Sequence, residues 1–200
     1  MMRTDLELIY RWVPEKAHVL DLACGDGTLL AALARNKKVT GYGLEIDPQG
    51  ITACLHKGVN VIEQNLDGGL SNFQDDSYDL VIMTQALQTL RRPDLMLDEM
   101  LRVARECIIT FPNFAYWRHR VHLGIRGYMP VSKSLPHAWY DTPNIHLSTF
   151  NDFEHLCCEK GLVITDRAVG IGEREGHWAT RIWPNLFGEI AIFRVERRHR

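Results

Sequence analysis

Val19-Leu20-Asp21-Leu22-Ala23-Cys24-Gly25-Asp26-Gly27-Thr28-Leu29-Leu30 joins an apolar run to a turn of small residues and then to a new apolar period. A strand buried on both faces needs apolar side chains in succession, and Val19, Leu20 and Leu22 supply them around the lone acid Asp21. Gly25 and Gly27 let the chain turn sharply and approach a ligand with no Cβ in the way. Leu29, Leu30 and Leu33 then line one face of a helix. The stretch reads as strand, phosphate-type loop and helix, and such a glycine turn alone does not distinguish one nucleotide-like ligand from another.

The run from Val39 to Ile46 is a second strand ending in Glu45, roughly 20 residues past the glycines, where a carboxylate can accept hydrogen bonds from both hydroxyls of a ribose. With Asp21 two residues ahead of it, the Ala-Cys-Gly-Asp-Gly turn resembles the first motif of class I S-adenosylmethionine (SAM) methyltransferases, Asp-x-Gly-x-Gly-x-Gly, more than the dinucleotide-binding Gly-x-Gly-x-x-Gly. Ala23 stands where that family has its first glycine, which narrows the turn. The resemblance implies SAM or S-adenosylhomocysteine (SAH) held by Asp21, Ala23, Gly25, Gly27, Glu45 and Ile46.

A chain of 200 residues that is 46% hydrophobic suits one compact domain, residues 1–200, with a substantial core. A net charge of -2 gives no global attraction to nucleic acid or anionic lipid, so neither is expected as a partner. Arg3, Asp5, Glu7 and Arg11 interrupt any leader-like run, and no long apolar stretch follows, which predicts a cytoplasmic protein outside the membrane. Five cysteines without a Cys-x-x-Cys pair read as small core residues in a reducing compartment. His119, His122, His137 and His146 show no helical metal spacing with a third ligand, so no metal is expected.

In chain order, Thr4 and Glu7 suggest a capping box on a first helix that covers the cofactor mouth or the sheet edge. Asp47-Pro48 starts another helix, and a third strand, Val59 to Glu63, leads to Asn65 and Leu66. These two either meet an adenine, by hydrogen bond and apolar cover, or form an ordinary Asn/Asp/Gly turn. Tyr78 to Met83 is a fourth strand, with Thr84 at the methyl end of a SAM-like ligand and Gln85 beside it as a substrate candidate. A helix from Asp94 carries Asp98 and Arg102 at i,i+4, and Glu106 to Phe111 is a fifth strand ending at Asn113. The Asn-Pro-Pro-Tyr motif of amide methyltransferases is absent there.

Between about 115 and 148 both periods fade, which predicts an irregular aromatic and basic insertion. It holds Trp117, Tyr140 and His146, and from Pro112 to Tyr140 its charges are Arg118, Arg120, Arg126 and Lys133 with no acid. Aromatics among cations can bind anionic substrates, nucleic acid or a protein, or simply cover the sheet. Trp178, Trp183 and Phe187 form a second aromatic group between a sixth strand from Leu162 and a seventh from Glu189.

The alternation predicts an α/β fold with a doubly wound, seven-stranded sheet, Rossmann-like and of the class I SAM-methyltransferase type, its last strand antiparallel. A more specific resemblance runs over nearly the whole chain. Gly-Tyr-Gly-Leu-Glu-Ile-Asp at 41–47, Ile-Thr-Phe-Pro-Asn-Phe at 109–114, Tyr-Asp-Thr-Pro-Asn-Ile-His at 140–146 and Trp-Pro-Asn-Leu at 183–186 resemble the MetW family of methionine biosynthesis proteins. Asn65 departs from that family, which favours Asp there. The resemblance implies a role beside the homoserine O-acyltransferase MetX. Two readings stay open: a SAM-sensing accessory subunit whose aromatic segments, Trp117 and Trp178 included, form the interface; or a methyltransferase whose acceptor pocket is lined by Thr84, Gln85, Asn113, Tyr140 or His146.

Overall fold

The computed structural model describes residues 3–171, 174–175 and 178–198. One sheet has the strand order β3-β2-β1-β4-β5-β8-β6-β7. The strands are β1 (His18–Leu22), β2 (Thr40–Glu45), β3 (Val61–Glu63), β4 (Tyr78–Thr84), β5 (Ala104–Pro112), β6 (Leu162–Ile171), β7 (Arg174–Glu175) and β8 (Ile190–Arg197). β1 to β5 pair in parallel, whereas β8 runs antiparallel to both β5 and β6. The seven longer strands form the doubly wound sheet that the alternation predicts, and the two-residue β7 adds an eighth at the edge.

Helices cover both faces because alternate strand residues are apolar in both directions. Val19, Leu80, Ile82, Ile108 and Ile192 pack with Ile9 of α1 (Thr4–Trp12) and with Leu29, Leu30 and Leu33 of α2 (Thr28–Lys37). On the other face Leu20, Val81, Met83, Cys107 and Ile109 pack with Leu97, Met100 and Leu101 of α4 (Pro93–Val103). The same layer takes Phe150, Phe153 and Cys157 of α6 (Phe150–Glu159). The strand order reverses between β1 and β4, and this switch point opens a crevice at the carboxyl ends of the strands.

Local details differ from the sequence reading. Arg3, not Thr4, is the N-cap of α1 and makes no side-chain cap bond; the reciprocal capping box sits at Thr149 and Asp152, at the start of α6. Arg102 pairs with Glu99 and Asp75 rather than Asp98, which bonds Lys160 across to α6. Within the region read as irregular, Trp117–Arg126 is a helix, α5. Its apolar residues stay exposed, so they never form the buried stripe that periodicity detects. After it, α7 (Trp178–Ile182) and α8 (Pro184–Phe187) are short.

Phe193 of β8 closes the aromatic core, its ring centroid 4.4 Å from Phe150, 4.7 Å from Phe153 and 6.1 Å from Phe111. Phe193→Ala should lower unfolding free energy by about 3–5 kcal/mol in urea denaturation; a loss below about 1 kcal/mol would show that this aromatic layer is not the packing centre.

Candidate functional site

The crevice at the switch point is a cleft of about 380 Å³ lined by Asp21, Ala23, Cys24, Gly25, Asp26, Thr28, Leu29 and Thr84, with Arg3 and Leu6 of α1 at its edge. α1 thus borders the cleft, as its apolar face and position imply.

Glu45, at the end of β2 and only 8% exposed, organises the turn. Its Oε2 accepts from Gly25 N at 2.7 Å, and its Oε1 accepts from Ile46 N at 2.8 Å and Asp47 N at 2.9 Å. A carboxylate has about four acceptor positions, so capacity remains for a ligand hydroxyl. Asp47 in turn caps α3 (Pro48–His56) through Gly50 N, which brings the start of α3 against the turn.

The turn itself is left-handed at Ala23, Gly25 and Gly27, with φ of 53°, 59° and 71°. Gly27 has no room for a side chain, since a Cβ would stand 2.8 Å from Cys54 Sγ. Gly25 has open space instead, which leaves its backbone approachable. Ala23 carries a Cβ in a conformation that costs L-residues roughly 1–2 kcal/mol.

Asp21 is 1% exposed, and its Oδ1 lacks a hydrogen-bond partner. Burial, reinforced by the charge of Glu45, pushes its pKa up to about 8. Burial, with Asp21 next, also pushes the Cys24 thiol up, so this thiol is no nucleophile at neutral pH. Asp26 behaves oppositely: a hydrogen bond from Lys57 holds it below the usual carboxylate range. Its carboxylate accepts from Thr28 N at 3.1 Å and Thr28 Oγ1 at 2.8 Å, so the start of α2 already has an anion.

The other nominated residues divide. Thr84 is in the cleft wall, and Ile46 is 56% exposed beside Glu45, available to cover a ring. Leu66 is buried in the core, and Asn65 Oδ1 accepts from Asp67 N at 3.0 Å, capping a short turn. The turn geometry is therefore present at that position. Gln85, at a left-handed φ of 52°, gives its amide to Asp5 Oδ2 at 3.1 Å; Asp5 is also held by Arg3.

Asn113 is engaged within the fold. It is fully buried, donates to Asn185 O and Gly188 O, and accepts from Ala115 N and Phe150 N. Every position of its amide is used within the fold, leaving none for an acceptor substrate. Trp117 and Tyr140 are 39% and 74% exposed, and His146 is exposed, its N donating to Gln88 O. None of the three lines the cleft. The side chain of Trp178 lies outside the described residues, as do His199 and Arg200 of the basic tail.

Arg3, Asp5, Asp26 and Gln88 were not nominated from sequence. Asp26-x-Thr28 is a legible Asx turn, whereas the Asp5–Gln85 contact joins positions 80 apart and leaves no local signal.

The strand order and the antiparallel last strand are those of the class I SAM-methyltransferase fold. A SAM-dependent methyltransferase from Mesorhizobium loti superposes with a TM-score of 0.69 at 14% identity, over 97% of this chain and 98% of that one. The magnesium protoporphyrin IX methyltransferase of Synechocystis PCC 6803, solved with bound SAH, gives 0.67 at 18% identity over 96% and 82%. Residues 3–195 match the family model of methionine biosynthesis protein MetW, and the chain belongs to the MetW family. The bifunctional methionine biosynthesis protein MetXA/MetW of Rhodopirellula baltica is 32% identical over 208 aligned residues. That alignment takes in 100% of this chain but 33% of the relative, so the chain spans about a third of that protein's length.

Asp21 makes stability pH-dependent with a definite sign. Its pKa rises from 3.8 in the unfolded chain to about 8 on folding, so the folded state binds the extra proton across that interval. Its contribution is full at low pH and declines as pH rises toward about 8. Asp21→Asn should remove this decline, so variant stability relative to wild type climbs from about pH 5 to about pH 8 in urea melts. Parallel pH profiles for the two proteins would contradict the assignment.

Proposed function

We propose that this chain is an accessory subunit that supports a homoserine O-acyltransferase in methionine biosynthesis, acting in the cytoplasm as one methyltransferase-like domain. Its cleft holds SAM or SAH as a signal. The observation that carries this reading is covalent: in the Rhodopirellula relative, a segment similar to the whole of this chain belongs to a polypeptide named for both MetXA and MetW. Fusion keeps two modules at high effective concentration, which benefits modules that act on one another.

The cleft residues fit such a ligand. Buried Asp21 has an unpartnered oxygen that suits the ligand's ammonium, and Glu45 keeps acceptor capacity for one ribose hydroxyl. Ile46 offers apolar cover for the base, and Gly25 admits close approach of the backbone. Asp26 occupies the start of α2, which disfavours a phosphate and therefore a dinucleotide. When bound, SAM would supply a transferable methyl group. The chain's residues bind and orient the molecule, and Asp21 releases its proton to solvent as an ammonium arrives.

A catalytic reading, methyl transfer to a small acceptor, rests on Thr84 in the cleft wall, because such transfer can proceed by alignment alone. Against it, Gln85 and Asn113 are engaged in holding the fold.

The test is homoserine acylation by the same organism's purified acyltransferase, with and without this protein, in SAM-free buffer. The accessory reading expects kcat/KM for homoserine to rise at least about tenfold. An unchanged rate with a folded preparation would overturn it and favour the methyltransferase.

A further inference from the structure

α5 is constructed unlike an ordinary surface helix. Trp117, Val121 and Ile125 are spaced i, i+4, i+8 and form one stripe, yet they are 39%, 47% and 81% exposed. Among its ten residues only His119 is buried. Helices of this length are marginal in water without tertiary packing, so the stripe is left without the cover that normally sustains one. Arg118, Arg120 and Arg126 accompany the stripe, and no acid occurs from Asn113 through Tyr140.

The chain beyond α5 continues in the same character. Tyr128, Trp139 and Tyr140 are 75%, 75% and 74% exposed. This segment is nonetheless tied at both ends, to the buried His119 of α5 at one and to Gln88 of the body at the other. His119 Nε2 lies 3.1 Å from Ser132 Oγ, while Gln88 O accepts from Ile145 N and His146 N at 3.0 Å each. Gln88 Nε2 also donates to Asn144 Oδ1 at 3.2 Å. Large apolar side chains on an anchored frame lose little entropy when covered, which suits an interface better than a free tail.

We propose that the exposed stripe of α5, with the aromatic residues that follow it, is the surface on which the acyltransferase docks, in an apolar groove rimmed by acidic side chains. This rests on the accessory reading above. Charge selects an acidic rim, since the charged residues flanking the stripe on α5 are all cations. The fused relative shows a family member sharing its chain with the proposed partner class. The surface is separate from the cleft, none of whose lining residues belongs to it.

The test measures affinity of this protein for the organism's purified homoserine O-acyltransferase by calorimetry. The double variant Val121→Ser/Ile125→Ser alters two exposed side chains and should weaken binding at least about tenfold. Arg126→Glu should weaken binding and reduce its salt dependence. Leu55→Ser, which alters another exposed apolar residue on α3, should bind as wild type does. Full binding by the double variant beside a binding wild type would overturn the surface and leave the accessory reading intact. Failure of the wild type to bind would remove both. Sedimentation showing that the stripe instead joins two copies of this chain, or its capture by anionic vesicles, would also overturn the proposal.

Discussion

The carboxylate of Glu45 holds the cleft together. By accepting from Gly25 N, Ile46 N and Asp47 N, it fixes the glycine turn after β1 to the start of α3. Burial, with the nearby Glu45 carboxylate adding to it, raises the cost of charging Asp21, which keeps its proton at neutral pH. The result is a pair of carboxyl groups in different states: one engaged with the backbone, the other buried with an unpartnered oxygen in a cleft wall. An arriving cation would find its counter-charge one deprotonation away.

The same region stores backbone strain. Ala23 and Gln85, on opposite sides of the switch point, both adopt left-handed conformations that non-glycine residues avoid. Gln85 is held there by Thr110 O and by Asp5 of α1, so the helix bordering the cleft is bonded to the end of β4. Gln88 then bonds Gln85 O and Asn144, joining that strand end to the anchored aromatic segment. Cleft edge, strand end and exposed surface are thus contiguous through hydrogen bonds, although each has a separate chemistry.

The sheet was legible because its signals are local: Val19 to Leu22, Tyr78 to Met83 and Glu106 to Phe111 are apolar runs that can only be buried strands in this alternation. Glu45 was legible as a strand-end acid, but its bonds to the turn were not, since they depend on where α3 begins. Asn113 looked like a polar residue at a strand end; its saturation by Asn185, Gly188, Ala115 and Phe150 arises only from the tertiary fold. α5 escaped because periodicity reports burial, and its apolar side chains remain exposed.

The most direct measurement is the titration of the Asp21 carboxyl by carbon-13 NMR, without and with SAH. The cleft described here predicts a midpoint near 8 in the free protein and a clear fall when SAH is bound, because the ligand's ammonium favours the carboxylate. An ordinary carboxylate midpoint in the free protein, or one that SAH leaves unmoved, would contradict the role given to Asp21.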